Sequence, residues 1–292
     1  MTLRHYKIFV TVCDTMNMTT AGEKLYLSQS AVSQAIAELE NHYDSKLFER
    51  LSRKLYLTQA GQKLLSYARH IVRMNEETDS EMRMLKEGGF IRIGASVTIC
   101  TCLLPQVILE FQKIKPKANV EVYENNTKKI EDLILQDQID LGIVEGSIHS
   151  SDIISIPFMD DELVFVCGKQ HRFKNLKKIV PTDLENVNFI IRETGSGTRD
   201  TFEDVMAANQ ISWKASWTCN NSDTIKSVVE KGLGVTVISE RIVQNEIKRG
   251  ELIRIPIAGI EFKRNFKICY HKNKYLSDII NQFIVTTKQF NA

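Results

Sequence analysis

A chain of 292 residues with 43% apolar and 25% charged side chains has room for two or three domains and a core that needs no staples. A net charge of +2 excludes binding nucleic acid by bulk positive charge, so any such surface is a local patch. The opening Met1-Thr2-Leu3-Arg4-His5-Tyr6-Lys7 lacks the apolar stretch of an export signal, and no run approaches the ~18–20 apolar residues of a membrane span; a cytoplasmic protein with no membrane partner is expected.

Three short helices open the chain. Leu3, Tyr6, Phe9, Val10 and Cys13 fall on one helical face. After a polar break at 14–17, Thr19 or Thr20 is placed to cap a short helix ending at Leu25, and Ser28 to cap a third with Val32, Ile36 and Leu39 inward. The stretch from Phe48 to Leu57 alternates as a hairpin with Arg53 and Lys54 at its tip. From Thr58 to about Glu87 one proline-free helix of about 28 residues, ~40 Å long, carries an apolar stripe of Leu64, Ala68, Ile71, Met82 and Leu85 and ends at Gly88-Gly89. So long a helix has too little chain around it to cover that stripe, which predicts pairing with a second copy.

Beyond Phe90, short strands alternate with helical stretches. The strands are 91–95, 120–124, 141–144, 163–167, 189–191, 235–238 and 266–270, and helices include 103–112 and 127–135. This spacing predicts βαβ units and a largely parallel sheet, and some 200 residues suggest two lobes. The six cysteines, Cys13, Cys100, Cys102, Cys167, Cys219 and Cys269, show no C-x-x-C pair and no histidine at zinc spacing; free thiols and no metal or other cofactor are expected.

Two patterns carry chemistry. In the first, small Ala21 and Gly22 allow close helix approach, Leu25, Val32 and Ile36 fill the angle, and the outer face of the third helix offers Gln29, Ser30, Ser33 and Gln34. Neutral donors and acceptors near a helix start suit base edges, while the amides there suit phosphate. Arg50, Arg53 and Lys54 lie in a basic stretch with Glu49 as its lone acid from Ser45 to Arg73, and Thr20 and Ser28 stand at helix starts within reach of the backbone.

These residues resemble the LysR-type transcriptional regulators. The similarity runs through Leu3-Arg4-x-Tyr6-x-x-Phe9, Thr19-Thr20-Ala21-Gly22-x-x-Leu25, Leu27-Ser28-Gln29-Ser30-Ala31-Val32-Ser33, Leu39-Glu40, Leu47-Phe48-Glu49-Arg50 and Leu57-Thr58-x-Ala60-Gly61. The resemblance implies an α/β protein with an N-terminal winged helix-turn-helix at 1–58, a dimerising linker helix at 59–88 and a two-lobed effector domain like type 2 periplasmic binding proteins at 89–292. Lobe I then spans about 89–160 and 267–292, and lobe II about 161–266. It also implies homodimers or homotetramers on dyad-related promoter DNA, a small-molecule effector, contact with RNA polymerase and no catalysis. Gly22 stands where alanine is usual, which predicts a weaker helix. Gln34 stands where many relatives have arginine.

The second pattern is a set of hydroxyl- and amide-rich strand exits, the usual place for ligands in open α/β sheets. Ser96, Thr98, Thr127, Gly146, Ser196 and Thr198 are the expected effector contacts, and Arg192 and Arg199 the expected anion partners, although Arg192 could equally pair with Glu193. Gly94-Ala95-Ser96-Val97-Thr98 lacks the second glycine of a hydrolase elbow, and Gly195-Ser196-Gly197-Thr198 lacks the lysine of a P-loop. A solute-binding protein and an enzyme with an appended DNA module are the alternatives. The first is disfavoured by the missing signal, and the second requires turnover that is lost in Ser96→Ala.

Overall fold

The structure, a computed structural model, describes residues 1–51, 54–84 and 89–290, with only the backbone of 79–84. Arg53, Leu85 and Gly88 therefore lie outside the described residues, as does the Met82 side chain. The chain divides into two compact units, the first Met1–Glu87 with two short later segments, the second most of the remainder.

The first unit holds α1 (Leu3–Thr15), α2 (Met18–Leu25), α3 (Gln29–Tyr43), the hairpin β1 (Phe48–Leu51) and β2 (Lys54–Leu57), and α4 (Gln59–Met84). In α1 the buried residues are Ile8, Phe9 and Val12, whereas Tyr6, Val10 and Cys13 are only partly covered. The stripe is rotated from the expected one because α1 packs on α2, α3 and α4 together. Val32, Ile36 and Leu39 are buried as their spacing requires. The cap of α2 is neither Thr19 nor Thr20 but Asn17, whose Oδ1 accepts from the amides of Thr19 (2.8 Å) and Thr20 (3.2 Å). Ser28 does cap α3, its Oγ accepting from the Ala31 amide at 3.2 Å. Gly22 answers a close approach rather than merely weakening α2. A Cβ there would lie 2.6 Å from the Leu27 carbonyl oxygen, the atom that ends the turn into α3. On α4, Ala68 is buried in the helical core while Tyr67, Ile71 and Met74 are exposed along one side.

In the second unit, β3 (Phe90–Ser96), α5 (Val97–Cys102), α6 (Leu104–Ile114), β4 (Asn119–Asn125), α7 (Thr127–Leu135) and β5 (Leu141–Val144) build one lobe. The long β6 (Ile153–Gly168) leads into the other, which holds β7 (Asn188–Arg192), α8 (Gly197–Ala208), β8 (Lys214–Cys219), α9 (Ser222–Glu230), β9 (Val235–Ser239), α10 (Glu240–Lys248) and β10 (Leu252–Arg254). The chain returns along β11 (Phe262–His271) and ends in α11 (Asp278–Gln289).

The strand order is β4-β3-β5-β11-β6-β9-β7-β8, with β10 beside β6. The expected largely parallel sheet is only half right. β3 runs parallel to β4 and β5, and β7 to β8 and β9, but β6 and β11 are antiparallel to their neighbours. The reason is that β6 and β11 carry the chain out of one lobe and back, so they must run in opposite directions. Their pairing shifts register between Phe266 and Lys267. Each lobe has its own core: Ile91, Ile93, Phe111, Phe266 and Phe283 in the first, Phe165, Phe189, Phe202 and Phe262 in the second. Phe111 and Phe283 meet edge to face at 5.0 Å, an arrangement worth about 0.5–1.5 kcal/mol beyond its buried area.

Candidate DNA-reading surface and effector cleft

The outer face of α3 presents Gln29, Ser30 and Gln34 to solvent, with Ser33 half-buried beneath them. The side chains are already ordered. Gln29 Nε2 donates to Ser33 Oγ at 2.7 Å, Ser33 Oγ donates to Met18 Sδ at 3.1 Å, and Gln34 Nε2 donates to Glu38 Oε1 at 3.0 Å. Ser28 and Ser30 share a hydroxyl bond of 2.9 Å. Thr20 is half-buried on α2. Arg50 and Lys54 are exposed on the hairpin, and with Asn17, Thr19 and Gln29 they line a groove of about 570 Å³. Recognition helix and wing thus share one slot edged by cations and amides, which suits a sugar-phosphate backbone.

Eight buried polar or charged residues of the second unit gather where the two lobes meet. Ser96 closes β3, Glu145 and Gly146 follow β5, and Thr127 is the first residue of α7. From the other lobe come Asp161 on β6, Ser196 at the N-cap of α8, and Thr198, the second residue of that helix, while β11 brings Arg264 and Lys267. Ser96, Thr98, Thr127, Glu145, Asp161, Ser196, Thr198 and Arg264 are all buried.

Glu145 is the centre of this cluster. It accepts from the hydroxyls of Ser96 and Thr98, and its Oε1 lies 3.8 Å from Arg264 Nη1. Burial pushes its carboxyl above the usual range, and Arg264 and Arg192 pull it back. Arg264 Nε donates to Asp161 at 2.7 Å and Nη1 donates to Thr198 Oγ1 at 2.9 Å. Asp161 also accepts from Ser239 Oγ at 2.8 Å.

Three polar atoms in the cluster have no partner: Thr127 Oγ1, Ser196 Oγ and Arg264 Nη2. Two belong to helix starts. Ser196 occupies the N-cap of α8 without making the cap bond that serine normally makes there. A buried hydroxyl left unbonded costs roughly 1–3 kcal/mol, and these groups face the amide end of a helix, where anions are favoured.

Both cations expected from the sequence are paired within the protein. Arg192 is buried but spent on its neighbour, Nε and Nη2 both reaching Glu193 at 2.9 and 3.0 Å. Arg199 is held by Glu203 at 2.7 Å and by the Arg192 carbonyl at 3.3 Å, with its guanidinium over the Trp213 ring. Arg264 and Lys267 are further cations at this cluster. They were missed because no motif marks them, yet one signal was readable: Arg264 falls on the inward beat of β11, between buried Phe262 and Phe266. Lys267 Nζ reaches the Gly146 carbonyl at 3.1 Å. Cys100 and Cys102, next to this cluster, are poor thiolates. Burial, with Glu124 and Glu145 nearby, pushes Cys100 up to about 12, and burial with Asp161 nearby pushes Cys102 up to about 11.

A winged helix-turn-helix joined to a two-lobed α/β domain with a polar cleft defines the class of ligand-responsive DNA-binding regulators. Residues 3–62 match the bacterial regulatory helix-turn-helix protein family of lysR type, and residues 86–291 match the LysR substrate binding domain. The chain belongs to the LysR family of transcription regulators. It is 30% identical over 283 residues to the uncharacterized HTH-type transcriptional regulator YeiE of Escherichia coli K12, covering 97% of this chain and 96% of that one. Full-length OxyR from Pseudomonas aeruginosa, in a variant form, superposes with a TM-score of 0.67 at 20% identity, covering 99% of this chain and 95% of OxyR. The Synechocystis CcmR regulatory domain in complex with 2-PG gives 0.65 at 25% identity, covering 70% and 97%. Among the described residues no helix is long and apolar enough to cross a membrane.

Proposed function

We propose that this regulator acts in the cytoplasm as a homodimer or homotetramer on dyad-related promoter DNA, and that a small anion in the cleft between its lobes sets the spacing of its recognition helices. Gln29, Ser30, Ser33 and Gln34 read base edges; Thr20, Ser28, Arg50, Arg53 and Lys54 hold phosphates. The exposed Tyr67, Ile71 and Met74 side of α4 pairs with a second copy. Altered DNA bending then changes contact with RNA polymerase.

One observation carries the effector half: the buried hydroxyls of Thr127 and Ser196, each at a helix start and each without a partner. An oxyanion accepting from both, and from Arg264 Nη2, satisfies all three at once. That the similar CcmR regulatory domain was solved in complex with 2-PG supports a small-molecule ligand for this domain. Ser96 and Thr98 act through Glu145, and Arg192 holds Glu193 in place.

The DNA half is tested by gel shift on the protein's own promoter and on scrambled duplex. Gln29→Ala or Ser33→Ala lowers the ratio of the two affinities, because a bidentate base contact is worth about 1–3 kcal/mol. Equal losses on both duplexes refute base reading by this face.

A further inference from the structure

The two lobes touch through glycine. A Cβ on Gly146 would stand 2.7 Å from Gly197 Cα, and one on Gly197 would stand 2.3 Å from Gly146 Cα and 2.4 Å from its amide nitrogen. No side chain fits at either place, because what it meets is backbone. The seam is stitched on both sides: the Lys128 amide donates to the Gly195 carbonyl at 3.0 Å, and Asn126 Nδ2 donates to Glu193 at 3.2 Å.

The unpartnered hydroxyls lie on this seam. Thr127 Oγ1 is 2.9 Å from where a Gly146 Cβ would be, and Ser196 is bonded directly to Gly197. A ligand that satisfies them therefore sits where the lobes come to backbone contact. Charge limits it too. Arg264 faces both Asp161 and Glu145, Arg241 lies 3.5 Å from Asp161, and Arg192 is matched by Glu193. Lys267, on the Gly146 carbonyl, adds one cation to that balanced set.

We infer that the effector is a compact inorganic oxyanion, a single tetrahedral or trigonal head without an organic tail, and that Gly146 and Gly197 are the specificity-determining residues that impose this limit. A ligand of that size leaves the glycine-to-glycine contact in place. A longer anion props the seam open and loses the Lys128–Gly195 and Asn126–Glu193 bonds. This inference rests on the cleft reading proposed above.

The test is titration calorimetry on the full chain with inorganic sulfate, inorganic phosphate, citrate and benzoate as probes, using wild type, Gly197→Ala, Gly146→Ala and Ser196→Ala. Wild type binds an inorganic oxyanion at least tenfold more tightly than citrate or benzoate. Gly197→Ala and Gly146→Ala weaken that binding at least tenfold, and their ligand-free thermal melts report whether they fold. The wild-type ranking needs no variant, so the size limit is tested even if both fail to fold. An organic anion that binds wild type as tightly as sulfate or phosphate, with loss of binding in Ser196→Ala, overturns the size limit and leaves the cleft reading standing. Inorganic oxyanion binding that survives Ser196→Ala unchanged, or no anion binding at all, overturns the cleft reading and the size limit with it.

Discussion

Replacing Arg264 by methionine removes the guanidinium that faces both buried carboxylates, Asp161 and Glu145. The Arg264, Asp161 and Glu145 side chains are 3%, 1% and 1% exposed, so water cannot replace the lost guanidinium. Breaking a buried ion pair from one side costs about 3–5 kcal/mol. For a domain of this size each kcal/mol lowers Tm by about 2–4 °C, so the melt should fall by roughly 6–20 °C. The loss depends on pH with a definite sign. Glu145 has its pKa raised in the folded state, so the native form holds the proton more tightly and stability falls as pH rises through and above the carboxylate range. Losing Arg264, its largest favourable charge, raises that pKa further and steepens the fall. Calorimetric melts at about pH 5 and about pH 7.5 should therefore show the larger deficit at the higher pH, and Glu145→Gln in the same chain should recover part of it. A variant melting within about 2 °C of wild type at both pH values would mean that Arg264 does not neutralise this pair.

Three further outcomes follow from single contacts. Asn17→Ala removes the acceptor for two amides of α2 and should cost about 1 kcal/mol by denaturant melt, whereas Thr19→Ala, which caps nothing, should cost less. Lys54→Ala should weaken binding to every duplex alike and lower the slope of log affinity against log salt by about 1, read by fluorescence anisotropy at several salt concentrations. Cys100, held near 12, has about one thiolate in 10,000 at about pH 8, so iodoacetamide should label it in unfolded chain and spare it in the native protein.

Much of this was legible where local chemistry decides. Ser28 caps α3 and Val32, Ile36 and Leu39 face inward because cap and period are written in neighbouring residues. The limits of α7 and β5 match the strand-and-helix alternation for the same reason. What could not be read depends on distant partners. Asn17 displaced two threonines as the cap because it stands one step before the helix and reaches both amides. The edge strand β8 was missed because most of its residues are exposed and it shows no clean apolar beat, and β10 because it spans only three residues. In the cleft, Ser196 and Thr127 were readable as hydroxyls at helix starts, but nothing local says that their oxygens go unpartnered. The Arg192–Glu193 pair was legible as one of two alternatives because the partners are adjacent in the chain, whereas Arg199 pairs with Glu203 one helical turn on. Arg264 owes its place to β11 returning beside β6, a pairing between residues about a hundred positions apart.

The proposed effect of an anion held by Ser196 and Thr127 is to change how the regulator sits on DNA. Its most direct measurement is nuclease footprinting on the promoter with and without the anion that wild type binds, repeated with Ser196→Ala. The anion should change the extent or bend of the wild-type footprint and leave the Ser196→Ala footprint as it was. An identical response in both proteins, or none in wild type at saturating anion, would contradict it.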